Sequence, residues 1–492
     1  MLNRKLLEIL ARLGPSERKR LRNFLQSPYF NNSSQAGPLL ELYDHIVAHD
    51  AAEDDPALDK ALVFKRFFPD DPYQENVKNS LDSLMSKLLA LVRSFLAVEQ
   101  TTQPPQEMEY REMFALLRFY REQGMVERFW KVVEQVKQAQ DDAPYRDAQY
   151  YFRQFSLEEE IVGLKTLTNS FQDDANIAAA ASFLATYHNL QQIEMVCALL
   201  YQHQLSPLTF SSDLDARAEQ ALRDTATPEM LAVPLIQINR LLLLLLRDPE
   251  HPQHCAAFEQ LLDDNKGKIS PERYNNLRAY QRYFWSRRYV RSGDPAHKRQ
   301  LFELYRAHFE EGYFYVNQQI TVNALRVLIT SALRMGHFDW AKAVLDTHPP
   351  ERICGTRYPG EAHSLNLAEY HFYKNEYAEA QEKLTYKLFE NPNFGIMADV
   401  LLIKIYFETE DDLLDSRMKA LEQKVRRSKI AADTQLRYFN FLKKLDKVIK
   451  YHWQKKSSQY QKLVEELQQM PNIIERDWLL EKLGPMGEKV RR

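Results

Sequence analysis

Residues 364–392 read "SLNLAEYHFYKNEYAEAQEKLTYKLFENP". Two runs of good helix formers flank a short break around Asn375, and Pro392 closes the second run. Ala380 sits where two such helices would cross; its small side chain lets their backbones approach. The stretch therefore predicts a helical hairpin.

The same layout recurs along the chain. "FALLRFYREQGMVERFWKVVEQV" (114–136) breaks at Gly124, "NALRVLITSALRMGHFDWAKAVLDTHPP" (323–350) at Gly336, and "DVLLIKIYFETEDDLLDSRMKALEQ" (399–423) at Asp411. In each hairpin a leucine precedes the predicted crossing residue by thirteen positions: Leu116 and Phe129, Leu328 and Ala341, Leu367 and Ala380, Leu401 and Leu414. Ala341 to Ala380 spans 39 residues and Ala380 to Leu414 spans 34.

That spacing resembles tetratricopeptide repeats. Tyr377, Ala380 and Pro392 fall at family-like offsets, whereas Phe129 and Leu414 replace a small residue and the early tryptophan is missing. The resemblance implies an all-α fold: a tetratricopeptide-like α-solenoid of stacked antiparallel helix pairs, with a partner-binding concave face. The order Ser-Pro-Tyr-Phe-Asn (27–31) followed by a Phe-Phe-Pro corner (67–69) also resembles a family of bacterial helical proteins. That second likeness implies no activity.

Composition points the same way. Average glycine usage of roughly 7% would give about 34 glycines in 492 residues, and there are 13. Tight hairpins and phosphate-cradling loops need glycine, because glycine alone enters positive φ cheaply. Their scarcity argues against β-sandwiches, Rossmann folds and P-loop enzymes. Net charge is −3, which calls for no polyanionic partner. Cys197, Cys255 and Cys354 lie far apart, as in a reducing compartment. The greasiest stretch, 231–248, has a six-leucine run bounded by Arg240 and Arg247. A membrane span needs ~20 predominantly apolar residues, so a buried helix and a cytoplasmic protein are expected.

The expected organisation is an N-terminal helical domain over 1–98, a linker over 99–107 carrying paired prolines, a helical-repeat region over 108–415, and a basic C-terminal helical segment and tail over 416–492. In the first domain Gly14-Pro15 ends one helix and Ser16 caps the next. "QSPYFNN" (26–32) and "RFFPDDPY" (66–73) read as corners, with Tyr29 and Phe30 clamping helix ends. A helix is expected over 74–98, and "GPMGEKVRR" (484–492) as a frayed tail.

No pattern nominates catalysis, a cofactor or a metal. His45 and His49 share a helix face, but Ile46 follows where a metalloprotease helix needs glutamate. "HPQHC" (251–255) gathers His251, His254 and Cys255 without a fourth ligand. "SLEEEI" (156–161) and "FETEDD" (407–412) suit solvated helix faces and caps.

Two positive stretches stand out. Residues 417–456 hold 13 Lys/Arg against Glu422, Asp433 and Asp446, and residues 273–291 hold six arginines and no acid amid aromatics. Two functions compete. One is a non-enzymatic scaffold or adaptor that takes a peptide or partner helix in a solenoid groove, with Arg278, Arg282, Tyr370 and Tyr373 as contacts. The alternative is a nucleic-acid-associated or regulatory protein that touches phosphate through Arg426, Arg427, Lys443, Lys444 and Lys447.

Overall fold

The computed structural model describes residues 2–52, 55–73, 80–102, 105–168, 170, 175–205, 213–248, 251–292, 294–385, 389–454, 460–470 and 472–489. These form twenty-four α-helices, a few 3-10 turns and three short strands. They divide into two compact units, one of residues 1–143 with 153–183 and one of residues 144–152 with 184–492.

The first unit begins with α1 (Arg4–Arg12), α2 (Pro15–Gln26), α3 (Ala36–Ala48), α4 (Lys60–Phe67) and α5 (Ser80–Thr102). Leu6, Leu10, Leu21, Leu42, Ile46 and Leu88 make one core. Gly14, not Ser16, caps α2: the Glu17 carboxylate accepts the Gly14 N–H at 2.8 Å. In the "QSPYFNN" corner, Phe30 stacks on Phe24 with ring centroids 4.2 Å apart, while Tyr29 stands 86% exposed. Only Phe30 clamps. Asn31 is buried and donates to the Leu25 carbonyl at 2.8 Å, which closes the corner. In the second corner Phe68 and Tyr73 both pack on Phe64.

The expected helix over 74–98 is α5 from Ser80 to Thr102; residues 74–79 lie outside the described residues. Helix α6 (Pro105–Glu122) starts at the second proline of the expected linker, so 99–102 and 105–107 are helical. Proline fits there because a first helical turn leaves its N–H groups unpaired anyway. Helix α7 (Val126–Asp141) and the 153–167 part of α8 (Ala148–Leu167) complete a second core around Leu117, Phe129, Val133 and Ile161.

The second unit takes the start of α8 and the end of α9 (Ala175–Leu205), which is one continuous helix. There follow α10 (Leu214–Asp224), α11 (Pro228–Leu231), α12 (Pro234–Arg247), α13 (Pro252–Asp264), α14 (Pro271–Ser292) and α15 (Pro295–Glu310). The six-leucine run lies in α12, where Leu242, Leu243, Leu245 and Leu246 are buried. No described helix is long and apolar enough to cross a membrane.

Next come β1 (Tyr315–Val316), β2 (Gln319–Thr321), α16 (Val322–Arg334), α17 (Phe338–Thr347), β3 (Ile353–Cys354), α18 (Pro359–Tyr373), α19 (Tyr377–Thr385), α20 (Pro392–Glu408), α21 (Leu414–Arg427), α22 (Ala432–Gln454), α23 (Tyr460–Gln468) and α24 (Arg476–Lys489). The described residues are all-helical as expected, apart from these three strands of two or three residues. β1 pairs antiparallel with β2, and β2 pairs parallel with β3. Asn317 and Gln318 both have positive φ (49° and 64°), which a two-residue hairpin turn requires. Residues 484–489 of the expected frayed tail continue α24.

All four hairpin breaks close alike. Gly124, Gly336, Asn375 and Glu410 hold φ of 64°, 78°, 59° and 52°. The next N–H in each case bonds back to a carbonyl five residues earlier: Met125 to Tyr120 (2.8 Å), His337 to Ala332 (2.9 Å), Glu376 to His371 (2.9 Å) and Asp411 to Tyr406 (2.9 Å). This is the Schellman stop, which satisfies helix-end carbonyls by one left-handed residue. The expected break at Asp411 falls one residue late. All four crossing residues, Phe129, Ala341, Ala380 and Leu414, are buried. Their leucine partners are not equivalent: Leu328 and Leu401 are buried, but Leu116 is 42% exposed and Leu117 takes the core position.

Candidate partner-binding site

Helices α20, α21 and α22 of the second unit enclose a groove of about 1040 Å³. α20 is buried along most of its length, with Ile396, Val400, Ile403 and Phe407 in the core and Asp399 and Lys404 buried among them. Its second turn contributes Ile396 and Met397 to the groove floor, joined by Ala420, Ile430 and Tyr438. The rim is basic: Lys424 and Arg427 from the last turn of α21, and Lys429 from the turn after it. Cations at a helix C-terminus suit the macrodipole. α22 begins at the same edge, where Ala431 and Thr434 line the groove, so its first-turn amides add partial positive charge.

Lys424 is held in place from below. Its Nζ donates to buried Asp399 Oδ2 at 2.7 Å, and Arg417 Nη1 donates to Oδ1 at 3.1 Å. A Cβ at Gly395 would come within 3.0 Å of that Nζ, so the glycine makes room for the ammonium.

Beside the groove, and sharing Met397 and Tyr438 with it, lies a cavity of about 160 Å³. Four charged residues line it: Arg326 of α16, Glu369 of α18, Lys404 of α20, and Glu475 just before α24. Arg326 Nη2 donates to Glu369 Oε1 at 2.8 Å, and Lys404 Nζ to Glu475 Oε2 at 2.8 Å. Lys404 is 3% exposed, and its ammonium lies 4.5 Å from the centroid of Phe372 and 5.7 Å from that of Trp478. Burial opposes the charge on Glu475, but Lys404 and Arg334 outweigh it and hold the carboxyl at about 2. Burial likewise opposes the charge on Lys404, and Glu475 overrides it, so the ammonium's pKa is raised.

The residues expected to bind a partner are placed differently. Arg278 is buried and donates to Gln281 at 2.8 Å and to Asp263. Arg282 donates to His308 Nδ1 at 2.9 Å and stacks 4.4 Å over Phe314. Tyr370 is buried in a core, and the Tyr373 hydroxyl accepts from Arg334 at 3.3 Å. None of the four lines either cavity.

Of the basic patch, Arg427 alone lines the groove. Arg426 pairs with Glu422 at 2.8 Å, and Lys444 and Lys447 both pair with Glu466, at 2.5 and 3.2 Å. Their hydrogen bonds hold Glu466 at about 2. Lys444 is buried and Lys443 exposed. Much of the segment's positive charge is therefore met locally.

The histidine motifs have local roles. His45 faces the Ala57 carbonyl at 3.2 Å, and His49 meets Asp55 at 3.0 Å. The rings of His251 and His254 stack at 3.7 Å. Among the described residues no group of three or more His, Cys, Asp or Glu is arranged to hold a metal.

Sequence reasoning missed Arg326, Glu369, Lys404 and Glu475. One signal was available: Lys404 is the lone charge inside "VLLIKIYF" (400–407). A lysine so placed on a buried helix requires a counter-charge. Comparison of the chain with family models, with curated proteins and with solved structures gives no match.

Proposed function

We propose that this chain is a non-enzymatic scaffold, a row of tetratricopeptide-like helix pairs, that binds an acidic, partly apolar peptide or partner helix. The observation that carries the reading is the groove of α20, α21 and α22, with an apolar floor of Ile396, Met397 and Tyr438 under a rim of Lys424, Arg427 and Lys429. An apolar floor rewards burial of leucine-like or aromatic anchors, and a rim of one sign selects partners of the other. Four hairpins closed by the same left-handed stop, with a buried residue at each crossing, support the repeat architecture. The local pairing of Arg426, Lys444 and Lys447 favours a protein partner over a phosphate backbone.

The test is a photo-crosslink. Benzoylphenylalanine replaces Gln423 in the groove and, as control, Glu303 on α15. Adducts at position 423 should be protein segments in which Asp or Glu adjoins apolar residues. They should disappear in Lys424→Glu/Arg427→Glu/Lys429→Glu. Equal adducts at both positions overturn the reading, and nucleic acid in the adduct replaces it with the phosphate-binding alternative.

A further inference from the structure

The cavity beside the groove is too small for a cofactor. Its volume of about 160 Å³ equals about five waters at ~30 Å³ each, against ~300–1,000 Å³ for ligand pockets. It can take one side-chain-sized group.

The lining prescribes the chemistry of that group. Arg326 uses Nη2 on Glu369 Oε1, while its Nη1 is buried without a hydrogen-bond partner. Glu369 is 7% exposed, and its Oε2 is likewise buried and unpartnered. One ion pair thus leaves a spare donor and a spare acceptor. Glu475 is already met, by Lys404 at 2.8 Å and by Arg334 at 3.6 Å, so the spare donor on Arg326 and the spare acceptor on Glu369 are what an occupant has to satisfy. A carboxylate would suit Arg326 and leave Glu369 Oε2 unmet; an ammonium would do the reverse. A neutral primary carboxamide satisfies both, since its C=O accepts and its NH2 donates. Glu475 holds φ of 51°, an uncommon backbone for glutamate, which fits a residue fixed in place for its site.

We infer that this cavity recognises a primary carboxamide: the side chain of a glutamine or asparagine carried by the partner bound in the neighbouring groove. The inference rests on the proposed groove reading for its source, because the two spaces share Met397 and Tyr438. The shared methionine also supplies a probe.

The experiment follows the Met397 methyl by ¹³C NMR in the full chain, titrated separately with propionamide, propionate and propylammonium. Propionamide should shift the resonance saturably, and the two ions at least tenfold more weakly. Glu369→Gln keeps the shape but changes the acceptor to an amide, and should weaken propionamide at least fivefold. Arg427→Glu in the groove should leave the titration unchanged. Response to propionate equal to that for propionamide, or no saturable shift, overturns the inference and leaves an internal water as the occupant. An unchanged Glu369→Gln titration in protein whose other methionine signals are native also overturns it. Met397 lines both spaces, so the Glu369→Gln and Arg427→Glu arms are what assign its shift to the cavity; failure of the groove reading shows in the Gln423 crosslink. With the groove reading intact, a free amide binding here without any crosslinked partner glutamine or asparagine would assign the site to a small molecule.

Discussion

Lys404 and Glu475, 71 residues apart in sequence, meet at 2.8 Å in a site that leaves the lysine 3% exposed. The contact joins the middle of α20 to the residue that precedes α24. A buried ion pair gives little net stability, yet breaking it strands a charge, at a cost of about 3–5 kcal/mol. Arg334 also stands 3.6 Å from Glu475, so Lys404→Met should destabilise by less than that, and Lys404→Met/Glu475→Gln by less than the sum of the two single changes. Urea unfolding followed by tryptophan fluorescence checks it, since Trp478 lies against the ammonium. Strict additivity of the two changes would contradict the coupling.

The same pair sets an acid limit. Glu475 sits at about 2 in the folded chain, below the ordinary ~4.3 of a free glutamate. A depressed carboxyl contributes stability that is full above its unfolded value and is lost as pH falls toward the folded one. Stability should drop between about pH 4.3 and 2, and Glu475→Gln should flatten that part of the profile.

His308 sets a second, milder limit. It is buried and accepts from Arg282 through Nδ1 at 2.9 Å, so its proton sits on Nε2. Burial first, and then Arg282 and Arg278, push its pKa down to about 3. The unfolded chain takes up the proton near 6.5 while the folded chain refuses it. Stability should be full above about pH 6.5 and fall by up to about 1.4 kcal/mol per pH unit below it. His308→Gln should remove that slope in denaturant titrations at pH 7 and 5, with any loss of packing appearing equally at both.

Gly395 separates two opposing effects. Alanine in a helix interior is favoured over glycine by roughly 0.5–1 kcal/mol, but here its Cβ would come within 3.0 Å of Lys424 Nζ. Gly395→Ala should lower the melting temperature in the native background and raise it in Lys424→Ala. If the sign is the same in both, the ammonium yields freely and Gly395 does not serve it.

The hairpin stops offer a clean pair of changes. Gly336 and Glu410 hold φ of 78° and 52°, and the left-handed region costs a non-glycine residue about 1–2 kcal/mol. Gly336→Ala should destabilise by about 1 kcal/mol and Glu410→Gly should stabilise, the gain reduced by the flexibility glycine adds to the unfolded chain. Chemical denaturation midpoints decide both.

Much of this was legible along the chain. Helix formers with few glycines predicted the helices, and the turns at Gly124, Gly336 and Asn375 lay at their breaks because only a few residue types tolerate positive φ. Leu116 was harder to place: adjacent leucines satisfy the same helical period, and packing chose Leu117. The surroundings of the α14 arginines were not legible for a related reason: Arg278 is buried and Arg282 half-buried, and the groups that meet them, Asp263, Gln281 and His308, are read only from the fold.

Sequence alone determined most of the helices, three of the four hairpin stops and the buried crossing residues, because backbone preference and apolar spacing act over a few neighbours. Tertiary structure alone decided the site. Arg326, Glu369, Lys404 and Glu475 come from four separate segments, and a charge shows its partner only when folding brings distant chain within a few ångströms.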